Sequence, residues 1–374
     1  MSEPIGLYLH VPFCRSKCPY CDFYSVRGDG ALMDAYTDAL LRQISTAPPE
    51  AADSVYFGGG TPTLLGKERL GKILAALSAR FSLTHDCEIT TEANPRAAEG
   101  EVIAALGSLG FTRASFGMQS ADERELSLLG RRHSRDEVAR SVEGCRAGGV
   151  DNISLDVMLG VIGQTSASLR DTLDFALSLS PAHLSAYILK VEAGTPYDAP
   201  RFRDKVPDED AQADLYLETV RYLSQHGLCQ YEISNFARPG MESRHNLKYW
   251  RCRPYLGFGP AAHSYYGGMR FAVLRDLRAF CRTDDFSRLP FTEVCEGGGF
   301  FEELMLGLRL NEGVDLDALS GRYALDLSPL KAAARPLCAR GLAVLEDGRL
   351  SLTPEGFLVS NAVIAALLDA ASER

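Results

Sequence analysis

The chain has 374 residues, 46% hydrophobic and 24% charged, with a formal net charge of −10; this is enough for two or three packed domains, and the negative overall field argues against a nucleic-acid surface. No basic start followed by an apolar core of about 7–15 residues opens it, and no apolar run approaches the roughly 18 residues of a membrane span, so a cytoplasmic protein with at most peripheral membrane contact is expected. Its ten cysteines are then expected as thiols or metal ligands, not as a disulfide framework.

The first expected element is a strand at "GLYLHV" from Gly6, and "CRSKCPYCDF" (Cys14 to Phe23) follows it at once. A helix is expected over Leu32–Ile44, a strand at "SVYF" from Ser54 running into "GGGTPT" (Gly58 to Thr63), and a helix over Lys67–Phe81. Further strands are "CEITTEA" from Cys87, "RASFGMQ" from Arg113, "NISLDVML" from Asn152 and "HLSAYILKV" from His183, with helices over Ser134–Gly149 and Ser168–Ser180 between them. Apolar, β-branched strands alternating with helices imply parallel βα units, and six such units can curve into a partial (β/α)6 barrel. Chemistry in such barrels sits at the C-terminal strand ends. Cys14 follows strand one, the glycine run strand two, Glu92 ends strand three, Gln119 ends strand four and Asp156 lies in strand five.

The rhythm stops near residue 200, which sets a first domain at 1–200. Residues 201–290, rich in aromatics, glycine and histidine, are expected as an α+β segment covering one side of the barrel mouth. Residues 291–374 have helices followed by a hairpin whose turn is Asp347-Gly348, a small winged-helix-like module. Its lack of a basic recognition helix argues against DNA binding.

Three cysteines at x3 then x2 spacing admit three readings: a zinc site short of a fourth ligand, a Cys-x-x-Cys redox pair at Cys18 and Cys21, or a [4Fe-4S] cluster with one iron open to another ligand. The other cysteines, Cys87, Cys145, Cys229, Cys252, Cys281, Cys295 and Cys338, are scattered and expected as packing or surface residues. Cys14-x3-Cys18-x2-Cys21 after a first strand, with Tyr20 before the last cysteine, resembles the radical SAM superfamily. Together with "YFGGGTPT" it is similar to the branch related to oxygen-independent coproporphyrinogen III oxidase. "RHNLKYW", "YLGFGPAAHSYYGG" and "MLGLRLNEGVDL" resemble the heme-chaperone family of that branch.

The resemblance implies a radical SAM barrel, a [4Fe-4S] cluster on Cys14, Cys18 and Cys21, and S-adenosylmethionine on its open iron. It places Tyr8, Tyr20, Gly59, Gly60 and Thr61 beside the methionine moiety, Glu92 and Arg131 on its charged head, and Gln119 and Asp156 on the ribose. It places heme binding at "HNLKYW", where His245 is the expected axial ligand; by their chemistry Tyr249 and Trp250 offer flat apolar surface and Arg244, Lys248 and Arg251 suit propionates. His263 is the competitor, although its family counterpart lies near the S-adenosylmethionine pocket; His85, His133, His183 and His226 are expected to be structural. The implied partners are heme, an acceptor protein, and a reductant such as flavodoxin, ferredoxin or an NADH-linked donor. Two departures bear on this. "LGVIGQT" (Leu159 to Thr165) lacks the family's frequent Gly-Leu-Pro turn. Phe23 stands where the oxidase form carries a further cysteine, and thirteen residues precede Cys14 where that form has a long extension. A heme carrier is therefore expected, with a radical enzyme acting on a porphyrinogen as the alternative.

Overall fold

The computed structural model describes residues 3–286 and 291–372. Its first six strands are β1 (Ile5–Val11), β2 (Ala51–Gly59), β3 (Ser82–Ala93), β4 (Arg113–Gln119), β5 (Asn152–Leu159) and β6 (His183–Ile188). They pair in parallel and in chain order, as crossover connections between successive strands require. Helices over Gly30–Thr46, Gly66–Arg80, Arg135–Ala147 and Ser166–Ser178 fill four of the crossovers. Their starts are written locally: Asp29 accepts from the Leu32 N–H, and Ser134 with Glu137 and Thr165 with Ser168 form capping boxes. The Gly66–Arg80 helix buries Leu70, Ile73, Leu74 and Leu77 on one stripe, each worth about 1.5–3 kcal/mol.

Strand alternation decides what the barrel is for. Leu7, Leu9, Val55, Phe57, Ala114, Phe116, Ile153 and Leu155 point outward under the helices and are fully buried. The alternate residues, among them Tyr8, Tyr56, Glu92, Arg113, Ser115 and Asp156, line an internal cavity of about 970 Å³. A closed barrel fills its centre with branched aliphatic layers; here the inward face is polar, so the centre is a site and the apolar core lies between sheet and helices.

The segment after residue 200 differs from its expectation as a cover over the mouth, because it continues the sheet at both edges. An open six-stranded arc leaves β1 and β6 with unpaired backbone groups, and later strands satisfy them. After the Glu209–Gln225 helix, β7 (Cys229–Glu232) and β8 (Asn235–Ala237) add antiparallel beside β6. β9 (Tyr255–Phe258) pairs parallel to β1, and β10 (His263–Tyr266), β11 (Met269–Val273) and β12 (Phe291–Glu296) follow antiparallel. The sheet thus has twelve strands in the order β12-β11-β10-β9-β1-β2-β3-β4-β5-β6-β8-β7.

The C-terminal part holds helices over Phe300–Gly307, Leu316–Tyr323 and Ser328–Ala339 and a small sheet of β13 (Val314–Asp315), β14 (Ala343–Glu346) and β15 (Arg349–Leu352) in the order β13-β15-β14. Asp347 and Gly348 take φ of 48° and 78°, the left-handed pair a type I′ hairpin needs. Backbone bonds from Ile233 N–H to Arg309 O and from Asn311 N–H to Tyr231 O, both 3.0 Å, tie this part to the sheet. No described helix is long and apolar enough to cross a membrane.

Candidate functional site

The cysteine loop leaves β1 and returns beside it. Val26 N–H donates to Pro12 O at 2.7 Å and Cys14 N–H to Val26 O at 3.0 Å, closing its base, while Phe13 is buried edge-on against Tyr36. Cys14, Cys18 and Cys21 are free, half-buried and all line the cavity. Burial pushes the Cys14 and Cys21 thiols up, so turning them into ligands takes a bound cation that stabilises the thiolates. Among the described residues no group of three or more His, Cys, Asp and Glu is arranged to hold a single metal ion; the donor set of three soft sulfurs around one mouth fits a polynuclear iron–sulfur group.

The glycine run explains its own composition. Gly60 N–H donates to Val11 O at 2.8 Å and Thr61 N–H to Phe13 O at 2.7 Å, and a Cβ on Gly60 would stand 2.5 Å from Phe13 O. Gly59 has φ of +103°, and a Cβ there would meet the His10 ring at 2.6 Å. This close approach leaves Gly59 N–H pointing at Glu92, whose carboxylate also accepts from the Tyr56 hydroxyl at 3.0 Å. Burial, and then the charge of Asp156, push the Glu92 carboxyl up to about 7. Asp156, held by the Ser115 hydroxyl at 3.1 Å, is raised by burial too. Two acids thus face one cavity with hydroxyl and amide partners and, among the described residues, no ion pair.

Across from them, Arg131 donates to the Tyr20 hydroxyl at 2.7 Å and to Asn94 Oδ1 at 2.7 Å, and Asn94 in turn donates to Thr61 at 2.7 Å. The predicted residues Tyr20, Thr61 and Arg131 are therefore one connected unit. Asn94 is the member that sequence reasoning missed, although its place two residues after Glu92 in "TEANP" put it on the same face of the chain. Gln119 ends β4 with φ of 67°, a left-handed conformation unusual for a side-chain-bearing residue, and its Oε1 is buried without a hydrogen-bond partner. Such local strain and an orphaned acceptor at a strand end mark a ligand position. Tyr8 lies on the same wall with its hydroxyl 3.1 Å from His10 Nδ1.

The "HNLKYW" stretch forms a helix, Arg244–Trp250, and its geometry differs from the expectation in several ways. His245 is 1% exposed, with Nδ1 3.0 Å from Ser54 Oγ and Nε2 2.8 Å from the Tyr249 hydroxyl, so both ring nitrogens are engaged. Burial lowers its pKa to about 3. It stacks on Tyr56 at 5.4 Å and lines the cavity with Tyr249. Trp250 is not among the lining residues; its ring lies under the Arg309 guanidinium at the start of the C-terminal part. The three basic residues assigned to propionates are committed elsewhere: Arg244 to Asp86 at 2.8 Å, Lys248 to Asp53 at 2.8 Å and Arg251 to Glu312 at 2.9 Å. Helical spacing spreads these cations around the helix, and each meets a carboxylate from another part of the chain. His263, at the start of β10, also lines the cavity and is exposed.

Comparison with known proteins places the chain in a family. Residues 8–176 match the Radical SAM superfamily and residues 300–359 the HemN C-terminal domain. The chain is 35% identical over 373 residues to the heme chaperone HemW of Bacillus subtilis (strain 168), covering 96% of this chain and 98% of that protein. It is 33% identical over 393 residues to the mitochondrial radical S-adenosyl methionine domain-containing protein 1 of Mus musculus, covering 98% and 88%. Among solved structures, the coproporphyrinogen III oxidase HemN of Escherichia coli superposes with a TM-score of 0.84 at 22% identity, covering 97% of this chain and 90% of that one; at that identity the likeness concerns the fold. Identity of over 30% along nearly the whole length makes the chain a member of the HemW heme-chaperone family within the radical SAM superfamily.

Proposed function

We propose that this protein carries heme and delivers it to an acceptor protein in the cytoplasm, from a barrel that also holds a [4Fe-4S] cluster and S-adenosylmethionine. The observation that carries the reading is the 35% identity, over 96% of the chain, to a protein named a heme chaperone. Phe23 supports it. It is 66% exposed at the cavity rim, in the place where the porphyrinogen-oxidising form has a cysteine, and it offers an apolar edge to a flat macrocycle where a thiol would offer chemistry.

Cys14, Cys18 and Cys21 would hold the cluster, which when bound supplies a low-potential electron to S-adenosylmethionine. Each further assignment answers a need seen in the protein. Glu92, a buried acid with no ion-pair partner among the described residues, accepts the ammonium of the methionine head. Arg131, whose contacts are a phenol and an amide, takes its carboxylate. Gln119 and Asp156 accept the ribose hydroxyls, and Tyr8, Gly59, Gly60, Thr61 and Tyr20 close around the methionine portion. His245 and Tyr249 are the part of the Arg244–Trp250 helix that lines the cavity. A flavodoxin, ferredoxin or NADH-linked donor would reduce the cluster.

Because every side chain expected around S-adenosylmethionine faces the cavity or its rim, turnover of a porphyrinogen is the second reading. The test is a hemin titration and a transfer assay to an apo-hemoprotein, run beside a coproporphyrinogen III decarboxylation assay on anaerobically reconstituted protein. Saturable hemin binding with transfer and no released CO₂ is expected. Repeated decarboxylation without hemin binding would replace the carrier reading with the enzyme reading.

A further inference from the structure

We propose that Arg113 makes the floor of the cavity a carboxylate-binding subsite, which takes a propionate of the carried porphyrin; this rests on the heme-carrying reading above. Five Lys and Arg side chains line the cavity: Lys17, Arg113, Arg131, Lys190 and Arg275. Lys17 lies exposed on the cysteine loop. Lys190 is paired with Glu192 at 2.9 Å and Arg275 donates to Asp22 O at 3.0 Å, both from exposed positions. Arg131 is held by Tyr20 and Asn94 as described. Arg113 is 2% exposed, its Nε is buried without a hydrogen-bond partner, and among the described residues no carboxylate stands within ion-pair distance of it. A guanidinium carries five N–H donors in one planar fork and keeps its charge throughout the working pH range. Burying that fork empty is costly, and an arriving anion that fills it removes the cost.

Strand register separates this group from the residues assigned to S-adenosylmethionine. Tyr8, Tyr56, Thr90 and Arg113 are successive partners across β1 to β4, so Arg113 lies at their level, whereas Gln119 closes the seven-residue β4 roughly 20 Å further along. Arg131 belongs to the upper level, where a Cβ on Gly117 would stand 3.5 Å from its Nη1. The Glu92 and Asp156 carboxylates feel the Arg113 charge, but they are the groups assigned to the ammonium and the ribose, so neither is left to Arg113. His183 adds no charge beside it. Its ring nitrogens lie 2.8 Å from Ser154 Oγ and 2.9 Å from the Tyr231 hydroxyl, and burial, then the Arg113 charge, hold its pKa well below the usual range.

The surroundings of Arg113 suit a flat apolar body with an acidic edge. At its level the Tyr56 ring stacks on Tyr8 at 6.3 Å and on His245 at 5.4 Å, and all three rings line the cavity. This aromatic wall runs from β1 and β2 into the Arg244–Trp250 helix, where heme binding is expected, and Arg113 lies two strands away on the same inward face of the sheet. A propionate is the part of a porphyrin that a guanidinium recognises, through two parallel N–H···O bonds. Arg244, Lys248 and Arg251 of the helix region are engaged by Asp86, Asp53 and Glu312, which leaves Arg113 as the buried cation open to that group. The carboxylate enters ionised and Arg113 keeps its protons, so the event is binding alone.

The test is a titration of the full chain with hemin and with hemin dimethyl ester, which keeps the iron and the macrocycle and removes both carboxylates, each followed by the Soret band. It compares the wild type with Arg113→Met, Arg113→Lys and Arg275→Met. The wild type should bind hemin about tenfold or more tighter than the ester, as a charge-assisted pair in a buried site implies. Arg113→Met should bind the two equally, at the ester's affinity, Arg113→Lys should restore part of the preference, and Arg275→Met should keep it. Equal affinity of the wild type for hemin and ester, a comparison that needs no variant to fold, would overturn the subsite while leaving heme carriage standing. So would a preference that survives in Arg113→Met, or one lost in Arg275→Met instead, which would move the carboxylate to the rim. An equal loss of both ligands in Arg113→Met would make the arginine structural and overturn the subsite as well. Absence of saturable hemin binding by the wild type would overturn both the subsite and the carrier reading.

Discussion

Glu92→Gln should make the ligand-free protein more stable at pH 8 and its complex with S-adenosylmethionine weaker. The Glu92 carboxyl is raised from 4.5 to about 7, by burial first and by Asp156 second. Between those values the folded protein holds a proton that the unfolded chain releases, so stability falls as pH rises through this window and the loss is complete above pH 7. The difference corresponds to about 3 kcal/mol. Glutamine removes the charge but can no longer accept from both Tyr56 and the Gly59 N–H, which returns about 1 kcal/mol. The apo variant should therefore exceed the wild type by about 2 kcal/mol at pH 8 and fall below it by about 1 kcal/mol near pH 4.5, where the wild-type acid is already protonated. Denaturant melts of the apo protein at both pH values, read by circular dichroism, measure this crossing. Ligand binding at pH 8 should weaken about 100-fold, as expected for a buried ammonium that loses its partner. A variant less stable than wild type by the same amount at both pH values would refute the claim that Glu92 carries a desolvated charge.

Replacing Cys14, Cys18 and Cys21 together by alanine should take iron in the anaerobically reconstituted protein from about four per chain to none and abolish absorption near ~400 nm; retained iron would sink the ligand set. Gly60→Ala should force its Cβ against Phe13 O and N, at 2.5 and 2.8 Å. It should cost roughly 1–3 kcal/mol and shorten the lifetime of the reconstituted cluster, since the displaced backbone carries the cysteine loop; an unchanged lifetime would show that the loop does not depend on this contact.

The barrel was legible because its strands alternate. β4 and β5 form with the expected boundaries, Arg113–Gln119 and Asn152–Leu159, since each is bounded by turn residues and alternates apolar with polar. The placement of β7 to β12 was not legible, because a short strand carries no local record of which sheet edge it will join. The same reasoning separates the two halves of the site. Glu92 and Gln119 sit at strand ends and Asp156 on the inward face of β5, where topology and alternation aim them into one cavity. The state of His245 depends on Ser54, 191 residues away in sequence, and the pairing of Arg244, Lys248 and Arg251 depends on Asp86, Asp53 and Glu312. Composition marks such a helix as rich in heme-compatible side chains, but only the packed structure shows that its cations are already neutralised.

Burial dominates the state of the two cavity acids, and Arg113 is a charge that works against it. It opens β4, is 2% exposed, and faces the cavity floor with Nε buried and unbonded. Its side chain makes no ion pair at contact distance with any described residue, and its charge works against the burial that raises the pKa values of Glu92 and Asp156. A buried guanidinium without a contact partner is costly, and the nearby acid pair offsets that cost at longer range. Arg113 is then the fixed counter-charge that keeps the two acids available to a cationic ligand near neutral pH. Arg113→Met, which keeps much of the length and removes the charge, should push the Glu92 carboxyl further up. The affinity for S-adenosylmethionine, measured by titration between pH 6 and 9, should rise with pH as Glu92 ionises, and the variant's midpoint should lie higher with the high-pH plateau retained. A lowered plateau at an unmoved midpoint would mean that Arg113 touches the ligand and does not act through Glu92.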